Sequence, residues 1–181
     1  MRTGTERAQQ RAFRNGRSQG TVSVTDLLLH FLDEAFDHKS WHGTNLRGSV
    51  RGLDARTAAW RPGPRRHNIW ELAVHAAYWK YAVRRQLSGE KRGSFGLAGS
   101  NWFRRPGPEG ATEEAWRRDV ALLLSEHRKL RAAAAAVPEA SLSGTAAGRR
   151  TTNLTLIRGV AAHDLYHAGQ IQILKRLARG Q

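Results

Sequence analysis

The sequence predicts an all-α fold, an antiparallel up-down-up-down four-helix bundle with long loops. Three observations support this prediction. Apolar residues recur with the 3.6-residue period of an amphipathic helix in four separate stretches of the chain. No stretch shows the two-residue alternation that is typical of a half-buried strand. Polar segments separate the four stretches, so successive helices can reverse direction and bury their apolar faces against one another.

The first predicted helix follows Thr25, taken as its N-cap, and its apolar pattern extends to residues 41–42. Two short helical stretches are predicted next, over residues 46–53 and 54–60. The apolar stripe of the first helix comprises Leu28, Phe31, Leu32, Ala35 and Phe36.

The second long helix has a clear start signal, because Asn68 and Glu71 have the spacing of a capping box. Gly89 is a suitable residue to end it. Residues 89–111 then form a long loop, and long loops in compact domains often cover a site. Its aromatic residues are predicted to pack back onto the bundle: Phe95, Trp102 and Phe103.

The third and fourth long helices complete the predicted bundle. The third opens at Thr112 and ends near residues 137–138, while the fourth covers about 153–179. The apolar stripe of the third helix includes His127. The stripe of the fourth comprises Leu156, Val160, His163, His167, Ile171, Leu174 and Ala178.

The chain is strongly basic, with 30 lysines and arginines against 15 acidic residues and a formal net charge of +15. Such a balance can indicate a nucleic-acid partner. The positive residues are scattered in pairs, however, and no long basic run with interleaved aromatic residues occurs. Solvated surface charge explains this pattern better, so the sequence disfavours a nucleic-acid partner.

Residues 1–21 are polar, rich in arginine and nearly without aliphatic side chains. They cannot bury enough apolar surface to offset the entropy of ordering, so we expect a flexible basic extension before a domain over residues 22–181. The chain has no cysteine, which excludes disulfides, thiolate metal ligands and a cysteine nucleophile. Since neither a spanning helix nor a signal-peptide segment is recognisable, we expect a cytoplasmic protein without a membrane partner.

Two histidines lie inside the otherwise apolar stripe of the fourth helix. His163 and His167 are four residues apart, so their side chains lie on the same helix face. Burying an imidazole without a hydrogen-bond partner costs about 1–3 kcal/mol, and a shared metal ion would offset that cost. The alternative is that both are core histidines bonded to neighbouring groups, because a chain with eight histidines also has such a pair at His38 and His42.

A third histidine favours the metal hypothesis. His75 lies in the middle of the second long helix, on a face with Leu72 and Trp79. Alone it would be interpreted as a core residue, but side chains from two bundle helices can project into one shared site. Three neutral nitrogen ligands suit Zn or Ni, with Fe, Cu or Mn as alternatives, and not Mg or Ca.

Other polar residues are weaker candidates. His30 is predicted to lie on the surface, His67 to help cap the second long helix, and His127 to pack in the core, with a position near the metal as the alternative. Trp41 and His42 are expected at the mouth of a pocket.

Three polar residues flank the two histidines of the fourth helix. Gln170 is expected to reach the pocket wall, and Tyr166 is a further pocket candidate. Asp164 and Tyr166 could each orient an imidazole, or could be ordinary boundary residues outside the site.

Four segments of the chain resemble the DinB-like (DinB/YfiT) superfamily, and together they cover about residues 25–178. The most specific is AHDLYHAGQI at 162–171, combined with a histidine in the middle of a helix about ninety residues earlier. The other segments are 41–43, 67–79 and 93–102. The resemblance implies a four-helix bundle with an open three-histidine metal site, and by position its ligands are His75, His163 and His167.

The resemblance also implies functional expectations. Members of the family with known activity are mostly transferases or isomerases that depend on small thiols, and the family is often dimeric. We therefore expect a metal-dependent enzyme, of the transferase or hydrolase type, that activates a low-molecular-weight thiol or water for attack on a small-molecule substrate. A homodimer is expected as well. A non-catalytic, metal-stabilised binding or sensing module is the alternative, and a nucleic-acid binder has less support.

Overall fold

The computed structural model describes residues 22–93, 95–145 and 150–180. Within these ranges the chain forms six α-helices and two short 3-10 helices, and no strand. The predicted basic extension over residues 1–21 lies outside the described residues. The α-helices are α1 (Val24–Phe36), α2 (Leu46–Val50), α3 (Ala55–Ala59), α4 (Ile69–Ser88), α5 (Glu113–Ala135) and α6 (Asn153–Arg179).

The four long helices, α1, α4, α5 and α6, pack together as a bundle, which confirms the predicted all-α fold class. Helix α4 packs against both α5 and α6, and α1 also contacts α5 and α6. No helix in the described part of the chain combines the length and the apolar character needed to cross a membrane.

Helix α4 runs parallel to α5, so the helix directions follow an up-down-down-up order and not the expected up-down-up-down order. Trp70 near the start of α4 bonds Asp119 in the first half of α5, while Arg84 near the end of α4 pairs with Glu126 further along α5. The loop over residues 89–111 explains the difference. A 20-residue helix is about 30 Å long, and a loop of that size can cross this distance and start the next helix at the same end.

Side chains cap the long helices at their N-termini. Asn68 Oδ1 accepts from the Glu71 backbone N–H at 2.8 Å, and Gly89 ends α4 with a positive φ of 73°, both as predicted. The cap of α1 is Ser23 and not Thr25, because the Ser23 hydroxyl accepts from the Asp26 N–H.

Several predicted helices are longer than the observed ones. Helix α1 ends at Phe36 and not near 41–42, because the backbone N–H groups of Asp37 and His38 both bond the Asp33 carbonyl and close the last turn. The two short helices cover five residues each, and α5 ends at Ala135. Apolar residues continue beyond each of these ends, so the apolar pattern alone overestimates helix length.

The buried apolar residues form two clusters along the bundle. One contains Trp70 and Trp116 and is closed by α2 and α3. The other contains Leu32, Leu130 and Ile157, where α1, α5 and α6 meet. Because α4 and α6 contribute to both clusters, their facing middle sections are fixed in register, and this is where the candidate site lies.

Candidate metal centre

Three histidine side chains from α4 and α6 meet at the level between the two apolar clusters. Nε2 of His163 lies 3.1 Å from Nε2 of His75 and 3.0 Å from Nε2 of His167. His75 and His167 are buried, with 5% and 3% of their surface exposed, and His163 is partly buried. The one-turn spacing on α6 stacks two of the rings, and α4 brings the third ring to the same point.

The His75 ring is fixed by the loop that follows α4. Its Nδ1 lies 2.8 Å from the backbone carbonyl of Asn101, which can only accept, so Nδ1 carries the proton. Trp102 stacks on the ring with centroids 3.8 Å apart, and Trp79 donates its indole N–H to the Asn101 side chain at 3.0 Å. Asn101 holds this position with a positive φ of 62°. The loop therefore orients His75 and leaves its Nε2 free.

The His167 ring is fixed by its own helix. Its Nδ1 lies 2.6 Å from Oε1 of Gln170, and the Gln170 amide NH₂ donates to the Tyr166 hydroxyl at 3.1 Å. This orientation of the amide makes Oε1 the acceptor, so the proton of His167 is also on Nδ1. The free Nε2 of His167 then faces the other two rings.

This hydrogen-bonding pattern leaves unprotonated nitrogens in close contact. With Nδ1 protonated on His75 and His167, both Nε2 atoms present lone pairs to His163. His163 can donate one proton from Nε2 to only one of them, and its Nδ1 is buried with no protein partner among the described residues. A cation at the meeting point would satisfy all three nitrogens at once.

The nitrogen separations fit a metal ion. Ligand nitrogens about 2.0–2.1 Å from a tetrahedral zinc ion lie about 3.4 Å from one another. The two contacts of 3.0 and 3.1 Å are close to that value, and the three candidate ligand atoms all lie within 4.8 Å. The three-histidine group is therefore compatible with metal binding, and its composition does not by itself identify the metal.

Burial keeps the three imidazoles neutral. Desolvation, together with the neighbouring His167, His75 and Lys80, lowers the pKa of His163 to about 3. Desolvation outweighs the hydrogen bond that His167 donates to Gln170 and lowers the pKa of His167 to about 4. The pKa of His75 is also lowered, mainly by desolvation. At neutral pH the three rings are thus in the form that binds metals.

Two mainly apolar cavities border the histidines. A cavity of about 370 Å³ is lined by His167 and Gln170 together with Leu72, Tyr166, Ile173, Leu174 and others. A second cavity, of about 250 Å³, is lined by His163 with Trp79, Val83, Leu156 and Val160. Space for a small molecule therefore lies beside His167 and beside His163.

A fully buried ion pair lies next to the site. Lys80 on α4 donates to Asp164 on α6, and neither side chain is exposed. Burial lowers the pKa of Lys80 and raises the pKa of Asp164 to about 6, and each charge partly reverses the shift of the other. Asp164 therefore bonds Lys80, whereas the two buried rings donate their Nδ1 protons to the Asn101 carbonyl and to Gln170 Oε1.

The remaining predicted site residues are divided between the cavity and the surface. Tyr166 and Gln170 line the cavity beside His167, as expected for pocket residues. Trp41 is fully exposed and His42 is also on the surface, and neither lines a cavity that borders the three histidines. The expected pocket-mouth role of Trp41 and His42 stays a prediction.

The other histidines lie outside the three-histidine group. His127 is buried and stacks on Phe36 with centroids 3.7 Å apart, as its core interpretation predicted. His30 is exposed. His67 lies 3.0 Å from the Glu71 carboxylate in the first turn of α4, and its ring stacks on Trp102 at 3.7 Å.

Sequence reasoning missed Asn101 and Lys80. Asn101 bonds His75 through its backbone carbonyl, which any residue type provides, although its positive φ and its side-chain bond with Trp79 favour asparagine at this position. Lys80 is surrounded by aromatic residues in the sequence, but a lysine in a helix is usually solvated. The aromatic residues of the long loop were the useful signal, since Trp102 stacks on His75 and Phe103 is buried as predicted.

The fold and the site place this chain among the all-α bundle proteins that carry a candidate metal centre on two of their helices. The sequence model described as the DinB superfamily matches residues 40–171, and the chain belongs to this superfamily. The match contains all three histidines as well as Asn101 and Gln170. Comparisons with curated proteins and with solved structures found no significant match.

Proposed function

We propose that this protein is a metal-dependent enzyme, of the transferase or hydrolase type, that activates a small thiol or water at the three-histidine site. One observation carries the proposal: three neutral imidazoles present their Nε2 atoms to one point, and two of them, His163 and His167, each line a cavity. A site built only to stabilise the fold would usually provide four protein ligands and no access.

His75, His163 and His167 would hold the metal. Nitrogen ligands without carboxylate or thiolate favour Zn or Ni, with Fe, Cu or Mn as alternatives. When bound, a divalent ion of this kind supplies Lewis-acid chemistry and lowers the pKa of a thiol or water in its remaining position. Because the chain has no cysteine, a thiol would have to come from a small molecule.

The residues around the three histidines hold the imidazole rings in place before a metal ion binds. The Asn101 carbonyl and Gln170 Oε1 hold the protons of His75 and His167 on Nδ1, so both Nε2 atoms stay available. Trp102 covers one face of His75, and the apolar side chains of the cavities limit the water that can enter. These contacts support a site in which a small electrophile could be held out of bulk water.

Elemental analysis of the purified protein tests the site. Wild type is expected to retain close to one metal ion per chain, and His75→Ala, His163→Ala and His167→Ala are expected to lose it. His30→Ala, on the exposed side of α1, is the matched control and should retain metal. Retention in all three site variants would end the assignment, and loaded protein that fails to transfer thiols or hydrolyse esters would remove the enzymatic part.

A non-catalytic binding or sensing module is the second candidate. It is favoured by the absence of carboxylates among the described residues that line the two cavities next to the histidines. Such a module needs no acid or base. Water relaxation measured on the Mn²⁺-loaded protein separates the two candidates, since an enzyme needs an exchangeable water and a closed structural site has none.

The homodimer is also a proposal. It is supported by exposed large apolar and aromatic residues along α6, namely Tyr166, Ile173 and Leu177, whose exposed fractions are 63%, 59% and 48%. Sedimentation velocity of the full chain is expected to give a dimer, and Ile173→Lys is expected to shift it to the monomer. A monomeric wild type would contradict the proposal.

A further inference from the structure

The cavity beside His167 adjoins a second cavity. The first, of about 370 Å³, and the second, of about 450 Å³, share three lining residues: Arg66, His67 and Trp102. We name the two neighbouring cavities the cleft, whose inner end is the cavity lined by His167 and whose outer end is the cavity lined by Arg104. A molecule that passes the shared residues would occupy both cavities.

The two ends of the cleft differ in chemistry. Next to His167 the lining is largely apolar, with Leu72, Ile173 and Leu174. The outer end contains three exposed arginines, Arg65, Arg66 and Arg104, which we name the arginine rim, and Arg66 also lines the cavity beside His167. No ion pair between the rim and an acidic residue occurs within the described parts of the chain.

Glu71 is the one acidic residue among the described residues lining the cleft, and its charge is already matched. Its carboxylate accepts from Arg61 at 2.5 and 2.8 Å and from the Arg105 backbone N–H at 3.1 Å, and it pairs with His67. Both oxygens are thus occupied, so Glu71 cannot neutralise the rim. The outer end of the cleft is therefore lined by three arginines that form no ion pair with an acidic residue of the described chain.

The cleft wall is also held in place. Arg61 donates to the backbone carbonyl of Arg66 at 2.7 Å, which ties the rim segment to the Arg61–Glu71 pair. Trp102 is stacked between His67 and His75, so the wall shared by the two cavities is fixed to the metal centre. A wall that is already ordered loses little entropy when a ligand binds.

We infer that the cleft binds a substrate with an anionic group, a carboxylate or phosphate, joined by a short apolar body to the end that reacts. The anion lies on the arginine rim, the apolar body lies along Leu72 and Leu174, and the reactive end lies at His167. Guanidinium groups suit both carboxylates and phosphates, because their paired N–H donors match two oxygens. The placement of the reactive end rests on the proposed function, whereas the anion site does not.

The first experiment measures binding of 4-phenylbutyrate and of uncharged 4-phenylbutan-1-ol to the zinc-equilibrated full chain by ligand-observed NMR. The acid is expected to bind more tightly than the alcohol. Arg66→Gln and Arg104→Gln should each weaken the acid about fivefold and leave the alcohol unchanged, as expected for partly exposed charge pairs. Arg158→Gln, an exposed arginine on α6, is the charge-matched control.

The outcomes separate the anion site from the metal site. Equal affinity for acid and alcohol, no binding of the acid, or an acid preference that survives in Arg66→Gln/Arg104→Gln would each overturn the inference. Added inorganic phosphate distinguishes the two kinds of anion. If the rim also accepts phosphates, phosphate should compete with the acid in wild type and not in the rim variants. If phosphate does not compete, the site accepts carboxylates only. Metal content of the histidine variants tests the proposed function separately, because the rim variants should keep wild-type metal content.

Discussion

Gln170 determines which nitrogen of His167 is free, and this is where the site depends most on one side chain. If Gln170 is replaced by alanine, the Nδ1 proton of His167 loses its acceptor and the ring can rotate or change tautomer. We expect Gln170→Ala to weaken metal binding about 10–100-fold, as is typical when a residue supporting a ligand is removed. Competition with a chromogenic chelator measures the affinity directly.

Gln172 provides the control for this prediction. It lies on the same helix two residues further on and lines a cavity on another side of the molecule, together with Arg51 and Lys175. Gln172→Ala should bind metal like wild type. Equal affinities for both variants and wild type would show that Gln170 does not orient the ring.

Glu71 stabilises the fold in a pH-dependent way. Although burial alone would raise the pKa of Glu71, hydrogen bonds from Arg61, His67 and the Arg105 backbone outweigh it and lower the pKa from 4.5 to about 2. A carboxylate with a lowered pKa contributes its full stability above the unfolded value, and this contribution is lost as the pH falls through the folded value.

Glu71→Gln is therefore expected to lower the free energy of unfolding by about 2 kcal/mol at pH 7. The difference from wild type should shrink as the pH is lowered from 4.5 toward 2, because wild type then loses the same charge. Urea unfolding at a series of pH values measures both effects. Glu114→Gln, at an exposed carboxylate on α5, should match wild type throughout, and a constant difference for Glu71→Gln would contradict the assignment.

The sequence predicts that the three histidines form a site, because the evidence for it lies in the residue types and their spacing and not in tertiary contacts. An imidazole in an apolar stripe is costly wherever it lies, so His163 and His167 stand out from spacing and composition alone. The partners that orient the rings depend on how elements meet in space. Gln170 is one turn from His167 and could be anticipated, whereas Asn101 reaches His75 from a loop whose path no local pattern specifies.

Lys80 and Asp164 join the two helices that carry the histidines. Lys80 is five residues after His75 on α4, Asp164 directly follows His163 on α6, and their fully buried side chains bond each other. The Lys80 ammonium also lies 4.5 Å from the ring centroid of Phe36 on α1, so three helices meet at this charge. Loss of one partner would leave the other as an unpaired buried charge.

Lys80→Met is expected to lower the free energy of unfolding by about 3–5 kcal/mol. The double variant Lys80→Met/Asp164→Leu should recover most of the loss, because it removes the buried charge left by the single change. Urea denaturation gives both values, with the exposed Lys91→Met as the control. A double variant as unstable as the single one would mean that packing, and not charge, explains the loss.

At the level of elements, local signals placed the helices and did not determine their directions. The caps at Asn68 and Thr112 and the αL residue Gly89 act within a few residues, so the sequence reveals them. Whether α5 returns antiparallel to α4 depends on the course of residues 89–111, which have no periodic pattern. Aromatic packing of Phe95 and Phe103 onto Tyr78 holds the described part of this loop along the bundle.

Ion pairs occur in several parts of the chain that the structure describes. Several basic residues in different parts of the chain are paired with acids, such as Arg131 with Asp33 and Arg105 with Asp119. Such pairs reduce the charge available to a polyanion, and the expected absence of a nucleic-acid partner stays a prediction.

Metal binding should stabilise the bundle as a whole, because its ligands come from both α4 and α6 and their orientation depends on the loop after α4. A ligand present at 100 times its dissociation constant adds about 2.7 kcal/mol to the free energy of unfolding if only the folded state binds it. For a chain of this size that corresponds to an increase of about 5–10 °C in Tm. Chelator-treated wild type should therefore gain this increase when Zn²⁺ is added.

His163→Ala should not respond to Zn²⁺, because it removes the nitrogen that contacts both other ligands. His30→Ala should respond like wild type, since that histidine is exposed on α1. Differential scanning calorimetry of the three proteins, with and without metal, measures the difference in Tm. An increase of the same size in His163→Ala would place the stabilising metal elsewhere, and no increase in wild type would mean that folding and metal binding are not linked. The linkage requires that unfolding separates His75 on α4 from the pair on α6, because the three candidate ligand atoms lie within 4.8 Å of one another only in the folded bundle.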